Sequence, residues 1–114
     1  MASDQAIGKL TAMIVKKYKP EKVILFGSFA YGKPNEASDI DLLVVKKVSR
    51  KKPIERSADL AYFLSESKDL PQSLKRRSFD PIVVTKQELN QTKNSSLFVR
   101  TILTKGKTLY ERRK

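Results

Sequence analysis

From Asp4 to Tyr18 the apolar residues Ile7, Leu10, Ile14 and Tyr18 recur at intervals of three and four, which predicts an amphipathic helix ended by Pro20. Lys22–Phe26 then reads as a short strand closed by Gly27. Ser28–Ser38 opens on a serine able to cap a helical turn and soon meets Gly32 and Pro34, so one or two helical turns and a loop are expected. Asp39–Val45 is the clearest strand; beyond its second Asp it is apolar on both faces, the pattern of a strand covered on both sides. A basic connector, Lys46–Pro53, leads to a helix over Ile54–Glu66 that offers Ile54, Ala58, Ala61 and Leu64 to the core. Pro71 marks an irregular stretch. Phe79–Thr85 is a third strand, and Pro81, which has no N–H to donate, places it at a sheet edge or makes its start irregular.

Thr85-Lys-Gln-Glu88 has capping-box spacing and opens a short helix. Ser95–Lys105 is a further helix stopped by Gly106, Thr108–Tyr110 a brief last strand, and Glu111–Lys114 a frayed tail. No internal repeat or boundary divides the chain, so residues 1–114 are expected to form one domain. The alternation of strands and helices predicts an α/β (α+β) fold, a small mixed sheet flanked by helices.

Composition narrows the chemistry. With 114 residues the chain can bury a modest core but has little left over to shape a substrate cleft, so an oligomer or a complex would complete it. Cysteine is absent, which removes disulfides and thiolate metal sites. Histidine is absent too, excluding imidazole acid–base catalysis, His–Asp triads and histidine metal ligands. No apolar run approaches the roughly 20 residues of a membrane span, and MASDQAIGKL has neither a basic opening nor an apolar signal stretch; a cytoplasmic protein is expected. Twenty-four Lys and Arg against 12 acids give a net charge of +12, which fits an anionic partner and equally a solvated lysine-rich surface.

What remains is carboxylates, hydroxyls and amines. Asp39 and Asp41, two apart on a strand, share a face, while Ile40 and Leu42 point the other way. Two carboxylates so placed repel one another unless a cation sits between them. All-oxygen ligands favour Mg²⁺ or Mn²⁺ over zinc. Taken alone, Asp39 reads as well as a turn cap and Asp41 as an exposed acid. The preceding strand, however, ends at Gly27-Ser28, where a helical turn presents free N–H groups and a hydroxyl, a sensible cradle for phosphate. Ser28 alone reads equally as a helix cap. Lys33 stands just beyond, either screening phosphate charge or facing solvent.

Gly27-Ser28, ten intervening residues and Asp39-Ile40-Asp41 together resemble the signature of the polymerase-beta-like nucleotidyltransferases. Phe26–Gly32 and Ser38–Val45 are similar to the minimal nucleotidyltransferase (MNT) domains of prokaryotes, and so are Phe79–Thr85 and Arg100–Tyr110, so the likeness covers nearly the whole chain. The resemblance implies a third carboxylate, at Asp80, although the adjacent Pro81 departs from the usual β-forming residue. It also implies two-metal transfer of a nucleoside monophosphate, AMP from ATP, onto a hydroxyl. Gly27, Ser28 and Lys33 would hold the nucleotide, and Asp39, Asp41 and Asp80 would hold metal and perform the chemistry.

Such domains pair with small helical HEPN proteins in toxin–antitoxin modules, where the nucleotidyltransferase is the antitoxin and modifies the HEPN partner; a tyrosine of that partner is the acceptor expected here. The alternatives are a non-catalytic antitoxin that acts by contact, and a transferase for a small molecule that completes its site by dimerising. The basic clusters Lys46–Arg56 and Lys75–Arg77 are not well interleaved with aromatics, since Tyr62, Phe63 and Phe79 read as core, so nucleic acid ranks below a protein acceptor.

Overall fold

The computed structural model describes residues 4–34 and 38–113. The loop expected to run to Ser38 includes residues 35–37, and the tail expected to run to Lys114 includes residue 114; these lie outside the described residues. Helix α1 (Asp4–Tyr18) buries Ile7, Leu10 and Ile14, as its periodicity predicts. It stops where Lys19 takes a positive φ of 48°, one residue before Pro20. Strand β1 (Lys22–Phe26) leads into the single turn α2 (Ser28–Tyr31), then to β2 (Ile40–Lys46). Helix α3 (Pro53–Glu66) and a 3₁₀ turn at Gln72–Leu74 connect β2 to β3 (Phe79–Thr85). Helices α4 (Lys86–Thr92) and α5 (Leu97–Lys105) precede β4 (Lys107–Glu111); α5, expected from Ser95, starts at Leu97 with Ser96 as its cap.

The sheet order is β3-β2-β1-β4. Strand β1 lies antiparallel to both β2 and β4, whereas β2 and β3 run parallel, joined by the crossover through α3. Pro81 therefore sits on an edge strand, where its missing donor costs no ladder bond. Successive residues of β1 and β2 feed two apolar clusters. Val23, Leu25, Ile40, Leu42 and Val44 pack with α1 and α3; Ile24, Phe26, Leu43 and Val45 pack against Ile102 of α5. This double cover explains why β2 is apolar on both faces. Among the described residues no helix is long and apolar enough to cross a membrane.

The face of α3 is turned from the one its apolar spacing predicts. Leu64 is buried as expected and Ala61 is half-buried, but Ile54 is 77% exposed and Ala58 is exposed; Arg56 and Leu60 are buried instead, in line with Leu64 at four-residue intervals. An arginine enters the core side because its charge is fully engaged there. Its guanidinium donates to both carboxylate oxygens of Glu88, each at 2.7 Å, and to the Val83 carbonyl at 3.1 Å. Glu88 also closes the capping box with Thr85.

Candidate functional site

The rim where β1 ends and β2 begins is built around Asp41. Across the antiparallel ladder Asp41 pairs with Phe26, and across the parallel ladder with Asp80. Residues paired in register point to the same face, so Asp41 and Asp80 both project on the α4–α5 side, in line with Leu43, Val45, Ile82 and Val84. Asp39, exposed, lies one residue before β2 and two before Asp41. Phe26 meets Phe98 of α5 edge-on at 5.8 Å, so an apolar pair borders the carboxylates on the β1 side.

Gly27 makes the close approach possible. Its φ of 70° and ψ of −150° lie in backbone space that is essentially glycine's alone, and a Cβ there would collide with Oδ2 of Asp41. The Asp41 carboxylate thus rests directly against the backbone that starts α2. Gly27→Ala is expected to lose about 1–3 kcal/mol of stability from the backbone alone, read by denaturant unfolding. The displaced Asp41 should add a loss of function.

Gly27, not Ser28, is the cap of α2: its carbonyl accepts from the N–H groups of Ala30 and Tyr31. Ser28 is the first residue of the turn, and its own amide and that of Phe29 have no carbonyl within the turn to bond. Lys33 is exposed just after the turn.

Burial, then the Asp80 carboxylate, then Asp39 push the Asp41 pKa up from 3.8 to about 6. No lysine or arginine among the described residues pairs with any of the three; the ion pairs all lie elsewhere. The chemistry of this donor set fits a hard divalent cation: oxygen ligands only, and mutual repulsion that no cation among the described residues relieves. The carboxylates are not drawn into a tight cage, and no group of three or more acidic side chains among the described residues is close enough to hold an ion as it stands.

Arg77, read from the sequence as part of a basic cluster, belongs to this rim. Its Nη1 donates to the Ser38 carbonyl at 3.1 Å, and its guanidinium lies 4.8 Å from the centre of the Phe29 ring. It therefore ties α2 to the residue preceding Asp39. The signal was available only as its distance of three residues from Asp80.

A family model described as polymerase beta, nucleotidyltransferase, matches residues 8–114. A presumed protein adenylyltransferase of Methanocaldococcus jannaschii is 32% identical over 112 residues, which cover 96% of this chain and all of that protein. Among solved structures, a presumed nucleotidyltransferase from Sulfolobus solfataricus superposes with a TM-score of 0.60 at 20% identity, over 96% of this chain and 81% of the other. A mutant of the toxin–antitoxin pair MntA–HpeT gives 0.55 at 17% identity, over 93% and 74% respectively. These two likenesses show the fold.

Proposed function

This chain belongs to the polymerase-beta-like nucleotidyltransferase family as a minimal nucleotidyltransferase domain, and we propose that it transfers AMP from ATP to a hydroxyl of a partner protein, as the antitoxin of a toxin–antitoxin pair. The observation that carries this reading is the position of Asp41, wedged between the Gly27 backbone and Asp80 and paired with no lysine or arginine among the described residues.

Asp39, Asp41 and Asp80 would hold Mg²⁺ or Mn²⁺. When bound, the ion neutralises triphosphate charge and makes an acceptor hydroxyl more acidic. The chain's own groups do the rest. The amides of Ser28 and Phe29, with the Ser28 hydroxyl, receive phosphate oxygens at the start of α2, and Lys33 screens their charge. Asp80, exposed at the rim, accepts the proton of the acceptor hydroxyl. The acceptor oxygen forms a bond to the α-phosphorus, the bond from that phosphorus to the bridging oxygen breaks, and pyrophosphate leaves.

The acceptor in this reading is a tyrosine on a HEPN-type helical partner. The exposed Leu97 and Phe98 at the start of α5, beside Phe26, offer apolar surface for such a partner close to the carboxylates. Support for the biological role comes from the protein adenylyltransferase name of the M. jannaschii relative and from the toxin–antitoxin name borne by a protein of the same fold. The open spacing of the carboxylates favours one competing reading, neutralisation of the partner by contact alone.

Incubating the purified chain with the helical protein encoded beside it, ATP and Mg²⁺ separates the two. Transfer predicts that the partner gains mass in steps of one AMP, on tyrosine. A stable complex with unchanged partner mass would leave contact alone.

A further inference from the structure

The α1–α3 side of the molecule carries a feature that nucleotide transfer does not use. The apolar pattern assigns Tyr62 and Phe63 to the core, but with α3 turned as it is Tyr62 is 68% exposed and Phe63 is only half-buried. Phe63 meets Tyr18, at the end of α1, edge-on at 5.9 Å. The ammonium of Lys17 stands 5.6 Å from the centre of the Phe63 ring, and that of Lys46 stands 5.5 Å from the Tyr18 ring. Tyr18, Tyr62 and Phe63 line a cavity of about 550 Å³ together with Lys17 and Lys51. A second cavity, of about 320 Å³, shares Tyr18, Lys51 and Asp59 with it and is walled by Lys46 and Arg50. A third, of about 360 Å³, shares Lys17 and Phe63 with the first and reaches Lys16. These neighbouring cavities share their rings and mark out a groove edged by cations.

We propose that this groove binds single-stranded nucleic acid, with an unpaired base stacked on Tyr62 and the phosphates following Lys17, Lys46 and Arg50. Aromatic platforms alternating with cations are what such a strand needs, because bases supply flat faces and the backbone supplies charge. Acids also line the groove, but Asp59 is neutralised by Lys51 at 2.6 Å. Against Glu66 and Asp69 stand Lys16, Lys17, Lys46 and Arg50, on a chain of net charge +12. An acidic peptide would satisfy those cations and leave the open tyrosine ring idle. A duplex keeps its bases stacked on each other and away from it.

Lys46 ends β2 while Asp41 is near its start, a separation of roughly 17 Å at strand rise, and the groove lies across the sheet from the carboxylates. A strand bound here leaves the rim open. The inference stands independently of the transfer reaction.

The test is fluorescence anisotropy with a labelled, mixed-sequence single-stranded RNA of about a dozen nucleotides. Tyr62→Ala, at an exposed position that does not hold the fold, is expected to weaken binding at least about fivefold while Tyr62→Phe retains it. Lys46→Gln with Arg50→Gln should flatten the slope of log affinity against log salt by about 1.4. Asp41→Asn should leave RNA binding unchanged. Unaltered binding by Tyr62→Ala would overturn the proposal. So would equal losses from Lys93→Gln with Lys105→Gln on the opposite face, equally tight binding of the matching duplex, or equal competition by polyglutamate, the last indicating an acidic protein partner.

Discussion

Asp41→Asn is expected to reduce nucleotide transfer about a thousandfold or more, since a metal-holding carboxylate contributes several kcal/mol to the transition state and each 1.36 kcal/mol is a factor of ten. The substitution keeps the shape against Gly27 and removes only the charge. Stability should move the other way. The folded protein raises the Asp41 pKa to about 6, above its ordinary 3.8. Below that ordinary value the carboxyl is protonated in both folded and unfolded chains, and its full contribution to stability is present. As the pH rises through 6 the folded chain must ionise it beside Asp80 and Asp39, and that contribution is lost.

Because the group is only half-buried and solvent still screens it, the loss is on the order of 1 kcal/mol. Metal-free wild type should therefore melt lower at pH 7.5 than at pH 4.5 by more than Asp41→Asn does, and Mg²⁺ should raise the wild-type midpoint at pH 7.5 while leaving the variant's in place. Transfer at the wild-type rate by Asp41→Asn would remove the rim from the chemistry altogether.

The parts of this site that were legible in advance are those governed by local rules. Strand period places Asp39 and Asp41 on one face, and Gly27 marks the point where a backbone must pass close to something. The parallel register that sets Asp80 opposite Asp41 depends on how the α3 crossover delivers β3, which no local pattern encodes. Ser28 looked like the cap because hydroxyl residues usually are; a glycine at positive φ one residue earlier takes that place and leaves the serine inside the turn. Arg77 was hidden among neighbouring basic residues, since only the folded chain brings Ser38 and Phe29 to it.

The misread face of α3 has the same origin. Counting apolar residues selects Ile54 and Ala58 and passes over an arginine whose acidic partner is 32 residues away. In the orientation that buries Arg56, Tyr62 lies at the surface, so the helix face bearing the long-range ion pair and the exposed aromatic side go together.

That ion pair predicts the largest stability effect in the molecule. Arg56 is 5% exposed, and besides its two bonds to Glu88 its Nε donates to the Lys51 carbonyl at 3.0 Å. It thereby joins the connector after β2, the body of α3, strand β3 and the cap of α4. Arg56→Ala removes the guanidinium and leaves a carboxylate and the Val83 carbonyl in partly dry surroundings, so a loss of about 3–5 kcal/mol is expected in urea unfolding. Replacing both charges, Arg56→Met with Glu88→Gln, leaves no uncompensated ion and retains an acceptor for the Thr85 N–H. It should cost clearly less than the sum of Arg56→Met alone and Glu88→Gln alone, and the difference measures the coupling.

The pH dependence follows from Glu88, whose pKa is lowered from 4.5 to about 2, first by its hydrogen bond to Arg56. A depressed carboxylate contributes stability above its ordinary pKa and loses it as the pH falls toward 2. Wild type should accordingly lose stability between pH 4.5 and 2 by an amount that the double variant does not show. Additive losses and parallel pH profiles would mean that Arg56 merely fills space, and that something else turns the helix.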